Sequence, residues 1–458
     1  MPAFQGTLRP HQEKSLEWVL KKENKGCVLS LEMGLGKTIV SIAVVVTNPI
    51  KTLVIVPLSI MTQWESEFEK FSTGLTVMIY HGVNRKNLID DIDDADVVIT
   101  TYNTFVSDLK NENTEHYDLF ERVIVDEAHK MKNRKSMMHM SFVELFSDVK
   151  NKILLTGTPI CNSEHDLISL FLLLNRRPYN DLEYWKGTNK DLVFEELQKL
   201  RRRYMLIMLA EKTIPNELPE LTIENVIVPF KMAPEQEKVY NRVLRMPTEG
   251  RGKMLQKISK LRLCVNDNKL IKIDDNVTSE LAEKIAVVTK IIESTPKDEK
   301  IIIFSSWLKM LNILNDEISE DCMLFHGSLR KEEKDAILLN FKKPRTARIL
   351  LITIRSGSVG LNLNIANNCI IVEPYWAKTE EDQAIKRLYR MGQEKPVKVY
   401  KIMISNTIEN WMTKLQEGKT KIVNKILFGK GNTQDIEECF AAKDEMFNQF
   451  VKVKIEEE

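Results

Sequence analysis

The chain has 458 residues, enough for two or three domains with full apolar cores, and its 43% apolar and 29% charged content suits a globular fold rather than a disordered one. Lys and Arg number 66 against 65 Asp and Glu, so no global basic field exists and any nucleic-acid contact must come from local patches. Cys27, Cys161, Cys264, Cys322, Cys369 and Cys439 form no C-x-x-C pair, which argues against zinc and against a disulfide framework; with no signal peptide in MPAFQGTLRPHQ and apolar runs as short as 39–46, an intracellular protein with no membrane association is expected.

Along the chain, short β-branched runs alternate with longer amphipathic stretches. Residues 28–31, 52–56, 97–100, 122–125 and 152–155 read as strands, with helices at 38–46 and 62–71. The middle differs: 192–210 and 234–269 read as helical, with Pro215, Pro219, Pro229 and Pro234 punctuating the stretch between them. A second series follows, with strands at 300–304, 322–325, 349–353, 368–372 and 397–402 and helices at 308–318, 331–341 and 379–389. Strands alternating with helices predict parallel sheets covered on both faces, and two series predict two α/β domains in tandem. The expected division is 1–225, 226–430 and a charged tail at 431–458, where 434–458 reads as a helix with a frayed acidic end. No short repeat or low-complexity tract is present.

The strand at 28–31 leads into Glu32-Met33-Gly34-Leu35-Gly36-Lys37-Thr38 and then a helix. Gly34 and Gly36 allow backbone N–H groups to turn inward around a phosphate, and the helix N-terminus adds its positive end. Lys37 supplies a cation to the β- and γ-phosphates of a nucleoside triphosphate, and the Thr38 hydroxyl can ligate Mg2+. The generic phosphate loop has its first glycine where this chain has Leu31. The bland alternative is a glycine-rich strand–helix turn with a surface lysine.

The strand at 122–125 ends in Asp126-Glu127-Ala128-His129. Ligands of open α/β sheets bind at the carboxyl edge, which is where a strand ending in two acids puts them. Asp126 is expected to hold Mg2+, partly through water, and Glu127 to orient and deprotonate an attacking water. Acids complementing a helix N-terminus are the alternative, weakened by the phosphate loop upstream.

From about Leu8 to about Gly429 the sequence resembles the SWI/SNF-like DNA-dependent ATPases of helicase superfamily two. The resemblance rests on LRPHQ (8–12), LVIVPLSIMTQW (53–64), DEAHKMKN (126–133), LTGTPICN (155–162), IFSSW (303–307), RSGSVGLNL (355–363), EPYW (373–376) and EDQAIKRLYRMGQ (381–393). It implies an α/β fold of two tandem RecA-like parallel-sheet lobes with helical insertions between them. It also implies Gln12 on the adenine edge, Gly360 beside the nucleotide, and Arg387 and Arg390 as arginine fingers that stabilise the transferring phosphoryl when the lobes close. Gln383, Arg387 and Arg390, spaced by four and three, would share one helix face. The chain departs from the family pattern at several positions: Ile207 and Met208 stand where the family has an arginine pair, Ser358 replaces a usual Gly and Cys161 a usual Gln. Thr353-Ile354-Arg355 is similar to the repair-associated branch, without that branch's RING finger.

The resemblance makes duplex DNA the expected partner, with a protein partner for recruitment, ATP and Mg2+ as cofactors, and nuclear residence. Ser59, Trp64, Thr100, Thr101 and Tyr102 in the first lobe, and Ser305, Ser328 and Arg355 in the second, are the candidate phosphate contacts, mostly hydroxyl donors that grip without reading sequence. The basic clusters at 130–135 and 201–203 are either solvated faces or further contacts. His81, His116, His139 and His165 are expected to be structural, and Trp185 and Trp411 core or partner-facing. The implied activity is ATP-driven translocation on duplex DNA; a strand-separating or RNA-dependent motor and a non-catalytic scaffold are the alternatives.

Overall fold

The computed structural model describes residues 2–185, 189–228, 234–246, 251–271, 283–344, 346–357 and 361–450. These form two compact units, one of residues 1–215 with 422–431, the other of 216–421 with 432–458.

In the first unit a minor pair, β1 (Ala3–Phe4) and β4 (Ser72–Thr73), runs antiparallel. Its main sheet contains β2 (Cys27–Leu31), β3 (Thr52–Val56), β5 (Val77–Ile79), β6 (Val97–Thr101), β7 (Arg122–Val125), β8 (Asn151–Leu155) and β9 (Met205–Met208). The order is β5-β6-β3-β7-β8-β2-β9, and every pairing is parallel. All residues of β2, β3, β6 and β7 are buried, as expected of a parallel sheet covered on both faces, whose strands read as continuous apolar runs. The charge at the start of β7 is neutralised locally: the Arg122 guanidinium, fully buried, pairs with Glu23 and donates to the Asn48 carbonyl at 2.8 Å.

In the second unit β10 (Leu221–Val228), β11 (Ile301–Ser305), β12 (Cys322–Phe325), β13 (Ile349–Thr353), β14 (Asn368–Ile371) and β15 (Val397–Ile404) form a parallel sheet in the order β10-β15-β14-β11-β13-β12. The two-residue period of the strand divides its core. Ile301, Ile303, Ile349, Leu351 and Ile370 face the helices Glu283–Ser294 and Leu308–Glu317. Ile302, Phe304, Leu350, Ile352 and Cys369 face the opposite way, towards Phe341, Ala384 and Ile385. Each fully buried large apolar side chain contributes about 1.5–3 kcal/mol.

The tandem parallel-sheet architecture with helical segments after the first sheet agrees with the sequence reading. Three local expectations need correction. Residues 205–208, read as the end of a helix, form β9, which pairs with β2 after the helix Lys190–Tyr204 ends. The strands β5 and β10 were not expected. The helix expected over 379–389 is Lys378–Ile385, and the chain turns at Lys386. The predicted C-terminal helix is Thr433–Phe450; the acidic tail beyond it lies outside the described residues. No helix among the described residues is long and apolar enough to cross a membrane.

Candidate functional site

The strand order sets β8 between β2 and β7, so the turns after these three strands share one carboxyl edge. After β2 the chain crosses residues 32–36 and enters the helix Lys37–Thr47, whose N-cap Gly36 offers no side-chain cap to the first-turn N–H groups. Gly34 and Gly36 both have φ +87°, a conformation that costs side-chain-bearing residues about 1–2 kcal/mol. At Gly36 a Cβ would also collide with Gln12 Nε2. Gln12 is buried against the loop: its Oε1 accepts from Arg9 N at 3.0 Å and its Nε2 donates to the Leu35 carbonyl at 3.4 Å. His11 Nε2 also meets the Leu35 carbonyl, at 3.1 Å. At the other end of the loop, Glu32 N donates to the Met208 carbonyl at 3.0 Å, and the Glu32 carboxylate accepts from Ala210 N. Leu31, at the position of the missing glycine, is the fully buried last residue of β2, and its carbonyl accepts from Lys37 Nζ at 3.1 Å. Thr38 follows on the first helical turn.

Asp126 and Glu127 follow β7. Asp126 is buried, with Oδ2 accepting from Trp64 Nε1 at 2.9 Å and Oδ1 from Glu127 N at 2.8 Å. Burial, then the neighbouring Glu127 charge, push its carboxyl up to about 6, while Lys37 pulls it down. Glu127 sits in the left-handed region at φ +53°, uncommon for a residue with a side chain and frequent at functional sites. Its Oε2 is buried without a hydrogen-bond partner, 3.4 Å from His129 Nδ1. His129 is held down to about 4, mainly by burial and then by Lys132 and Lys130, so its ring is neutral at pH 7. Its Nδ1 lies 3.1 Å from Thr156 Oγ1, on the turn after β8. A Cβ built at Gly157 on the same turn would lie 3.7 Å from Lys37 Nζ. Three turns thus bring together a lysine, two acids and a helix N-terminus. An open left-handed glycine loop, an unsatisfied buried carboxylate oxygen and an adjacent acid fit a magnesium–nucleoside triphosphate and the water that attacks it.

The candidate polynucleotide contacts of the first unit lie mostly inside it. Trp64 is 1% exposed and spends its only donor on Asp126. Thr100 is buried and donates to the Tyr80 carbonyl at 2.9 Å. Thr101 is buried and caps the helix Tyr102–Lys110 by accepting from Thr104 N. Tyr102 is buried, with its hydroxyl donating to the Asp126 carbonyl at 2.5 Å. Of this set, only Ser59 is exposed. The missed signal was in the pattern itself: Trp64 and Phe68, four apart, lie on the buried face of an amphipathic helix.

In the second unit Ser305 is buried and donates to Glu373 at 3.0 Å. Ser328, whose hydroxyl lies 2.7 Å from His326 Nδ1, and Arg355, which donates to the Tyr375 hydroxyl at 3.2 Å, are exposed. Gly360 and Ser358 lie outside the described residues. Because the helix ends at Ile385, Arg387 and Arg390 occupy the turns beyond it, and their shared helix face does not exist. A backbone bond and one side chain hold these turns: Leu363 N donates to the Arg387 carbonyl at 3.2 Å, and Gln393 Nε2 donates to the Asn364 and Ala366 carbonyls at 2.9 and 2.8 Å. Arg387 is buried, and burial lowers the Arg390 pKa.

A phosphate loop, an Asp-Glu pair on the next strand but one and a second parallel-sheet unit define the class: a helicase-like nucleoside triphosphatase. Residues 11–270 match the model of the SNF2-related domain, and 283–392 match that of the helicase conserved C-terminal domain. The chain belongs to the SNF2-related family and is a DNA-dependent ATPase. A protein of Orgyia pseudotsugata multicapsid polyhedrosis virus named "Probable global transactivator" is 28% identical, across 95% of this chain and 94% of its own length. Human chromodomain-helicase-DNA-binding protein 8 is 29% identical across 95% of this chain but 19% of its own, so the chain spans about a fifth of that relative. The Sulfolobus solfataricus SWI2/SNF2 ATPase core, solved in complex with dsDNA, is 27% identical with a TM-score of 0.44, covering 99% of this chain and 98% of that one.

Proposed function

We propose that the chain is an ATP-driven translocase on duplex DNA that shifts or strips DNA-bound protein. The observation that carries the reading is Glu127, whose buried, unsatisfied Oε2 stands on the same sheet edge as Lys37 and the glycine loop. A carboxylate so placed accepts the proton of a water attacking the γ-phosphate. The Gly34–Gly36 backbone and Lys37 bind the β- and γ-phosphates, and Gln12 meets the adenine edge. Thr38 and Asp126 would hold Mg2+, which when bound neutralises phosphate charge. Arg387 and Arg390 are assigned to the charge that spreads over the transferring phosphoryl, and Gly360 to the nucleotide. Exposed Ser59, Ser328 and Arg355 are assigned to DNA phosphates, which they grip without reading bases. A protein partner supplies the target, and nuclear residence is assigned from DNA as the substrate.

Steady-state ATPase rates with no nucleic acid, duplex DNA, single-stranded DNA and RNA test the reading, with Glu127→Gln beside the wild type and a triplex-displacement assay for movement. Hydrolysis stimulated most by duplex DNA, triplex displacement without strand separation, and loss of both in the variant are expected. Greater stimulation by RNA or single strands, or separation of the duplex, would replace this reading with that of an unwinding motor.

A further inference from the structure

Two residues expected at the polynucleotide, Trp64 and Tyr102, instead hold one acid of the ATP site from two sides. The Trp64 indole donates to Asp126 Oδ2 at 2.9 Å, and the Tyr102 hydroxyl donates to the Asp126 carbonyl at 2.5 Å. With Glu127 N on Oδ1 at 2.8 Å, both carboxylate oxygens are held by one donor each, so the carboxylate plane is fixed while further lone pairs remain for a ligand. The Tyr102 bond fixes the peptide that leads into Glu127 and its left-handed backbone.

Each residue starts from a segment at the sheet edge. Trp64 lies one turn into the helix Met61–Phe71, directly after the turn Leu58–Ile60, where Leu58 and Ser59 are exposed. Tyr102 is the first residue of the helix Tyr102–Lys110, and Lys130 lies over its ring at 5.8 Å. A displacement at either helix start therefore moves a hydrogen bond to Asp126 with no intervening flexible chain.

We propose that Trp64 and Tyr102 are positioning residues that make the divalent-cation affinity of Asp126 depend on polynucleotide bound at the Leu58–Ile60 turn and at the start of the helix Tyr102–Lys110. The proposal rests on the translocase reading for the identity of the polynucleotide. Outer groups that orient a metal-binding side chain change metal affinity by about 10- to 100-fold when removed. Linkage then requires the cation to change DNA affinity by the same factor that DNA changes cation affinity.

The test uses the full chain with ADP and Mn2+, whose binding is read by electron paramagnetic resonance with and without duplex DNA. Trp64→Phe removes the donor. Replacing the Trp64 indole by benzothiophene removes only the N–H and keeps the shape, so a result does not depend on the larger change folding. Tyr102→Phe removes the second bond, and Phe68→Leu, on the same helix and 6.2 Å from the Trp64 ring, controls for packing. In wild type, DNA should shift the Mn2+ dissociation constant by about fivefold or more. The benzothiophene variant should weaken Mn2+ binding about tenfold. Both it and Tyr102→Phe should lose most of the DNA-dependent shift, whereas Phe68→Leu keeps both. Mn2+ affinity unchanged in the benzothiophene variant, or a full DNA shift in both site variants, overturns the proposal. DNA-stimulated turnover with an unmoved wild-type Mn2+ affinity overturns the coupling alone; no response of turnover or affinity to any polynucleotide overturns the translocase reading with it.

Discussion

Lys284 is fully buried on the helix Glu283–Ser294, with its Nζ donating to Glu409 Oε1 at 2.5 Å and to Asn266 Oδ1 at 2.9 Å. Asn266 Nδ2 reaches Glu373 Oε2 at 3.4 Å, and Glu409 Oε2 accepts from Ile404 N at 2.9 Å. This network joins three helices to the ends of β14 and β15 within the second unit. Lys284→Met keeps most of the volume but leaves Glu409, 1% exposed, as a buried charge without its cation. Breaking one side of such a pair costs about 3–5 kcal/mol, whereas replacing both charges by neutral groups costs far less. Hydrogen exchange followed by mass spectrometry on peptides from β11 and β14 isolates the second unit from the first. Opening there should rise by roughly two to four orders of magnitude in Lys284→Met. Adding Glu409→Gln should recover at least about 1 kcal/mol of the summed single effects. A single-variant loss under about 1 kcal/mol, or strictly additive losses, would show that the pair is hydrated or loosely held.

Gly36→Ala should weaken nucleotide binding more than about tenfold in a fluorescent-nucleotide titration, because φ +87° and the Gln12 contact both oppose a Cβ; unchanged affinity would mean that the loop rearranges on binding. Glu320, held down to about 2 by hydrogen bonds from Arg348 and then by Lys297, has a folded pKa below the ordinary 4.5. Its contribution is therefore present above pH 4.5 and lost as pH falls towards 2, so Glu320→Gln should flatten the acid slope of stability in that window, seen by circular dichroism melts. Glu127→Gln should retain nucleotide binding while lowering turnover by about 10²- to 10⁴-fold in a phosphate-release assay, and a smaller loss would assign the base elsewhere.

The buried strands were legible because a parallel strand covered on both faces reads as a near-continuous apolar run; 52–56, 122–125 and 349–353 agree with β3, β7 and β13 to the residue, and 322–325 agrees with the half-buried edge strand β12. The phosphate loop and the acidic pair were legible because their chemistry is local, carried by a few consecutive residues. What escaped was tertiary. Met205–Met208 is four apolar residues directly after a helix, too short for periodicity to separate strand from helix, and only pairing with β2 decides it. Arg387 and Arg390 fit a helical spacing, yet the chain leaves the helix before them and is held by Leu363 and Gln393. Trp64 sits in a run that resembles a nucleic-acid contact, and nothing in the linear pattern reveals that its N–H finds Asp126 sixty-two residues away.

The phosphate loop is moored along its length: Glu32 to β9 and Ala210, Lys37 to Leu31, and Leu35 to His11 and Gln12. Its ordering entropy is therefore spent when the chain folds and not when nucleotide arrives. Capture of the phosphates should then resemble a rigid receptor closing on its ligand, with a small heat-capacity change confined to the surface the nucleotide itself covers. It also follows that β9, an edge strand far along the chain and the one bearing Ile207 and Met208, is part of the receptor's stiffness, so substitutions that unpair β9 from β2 would loosen nucleotide binding without altering a single phosphate ligand.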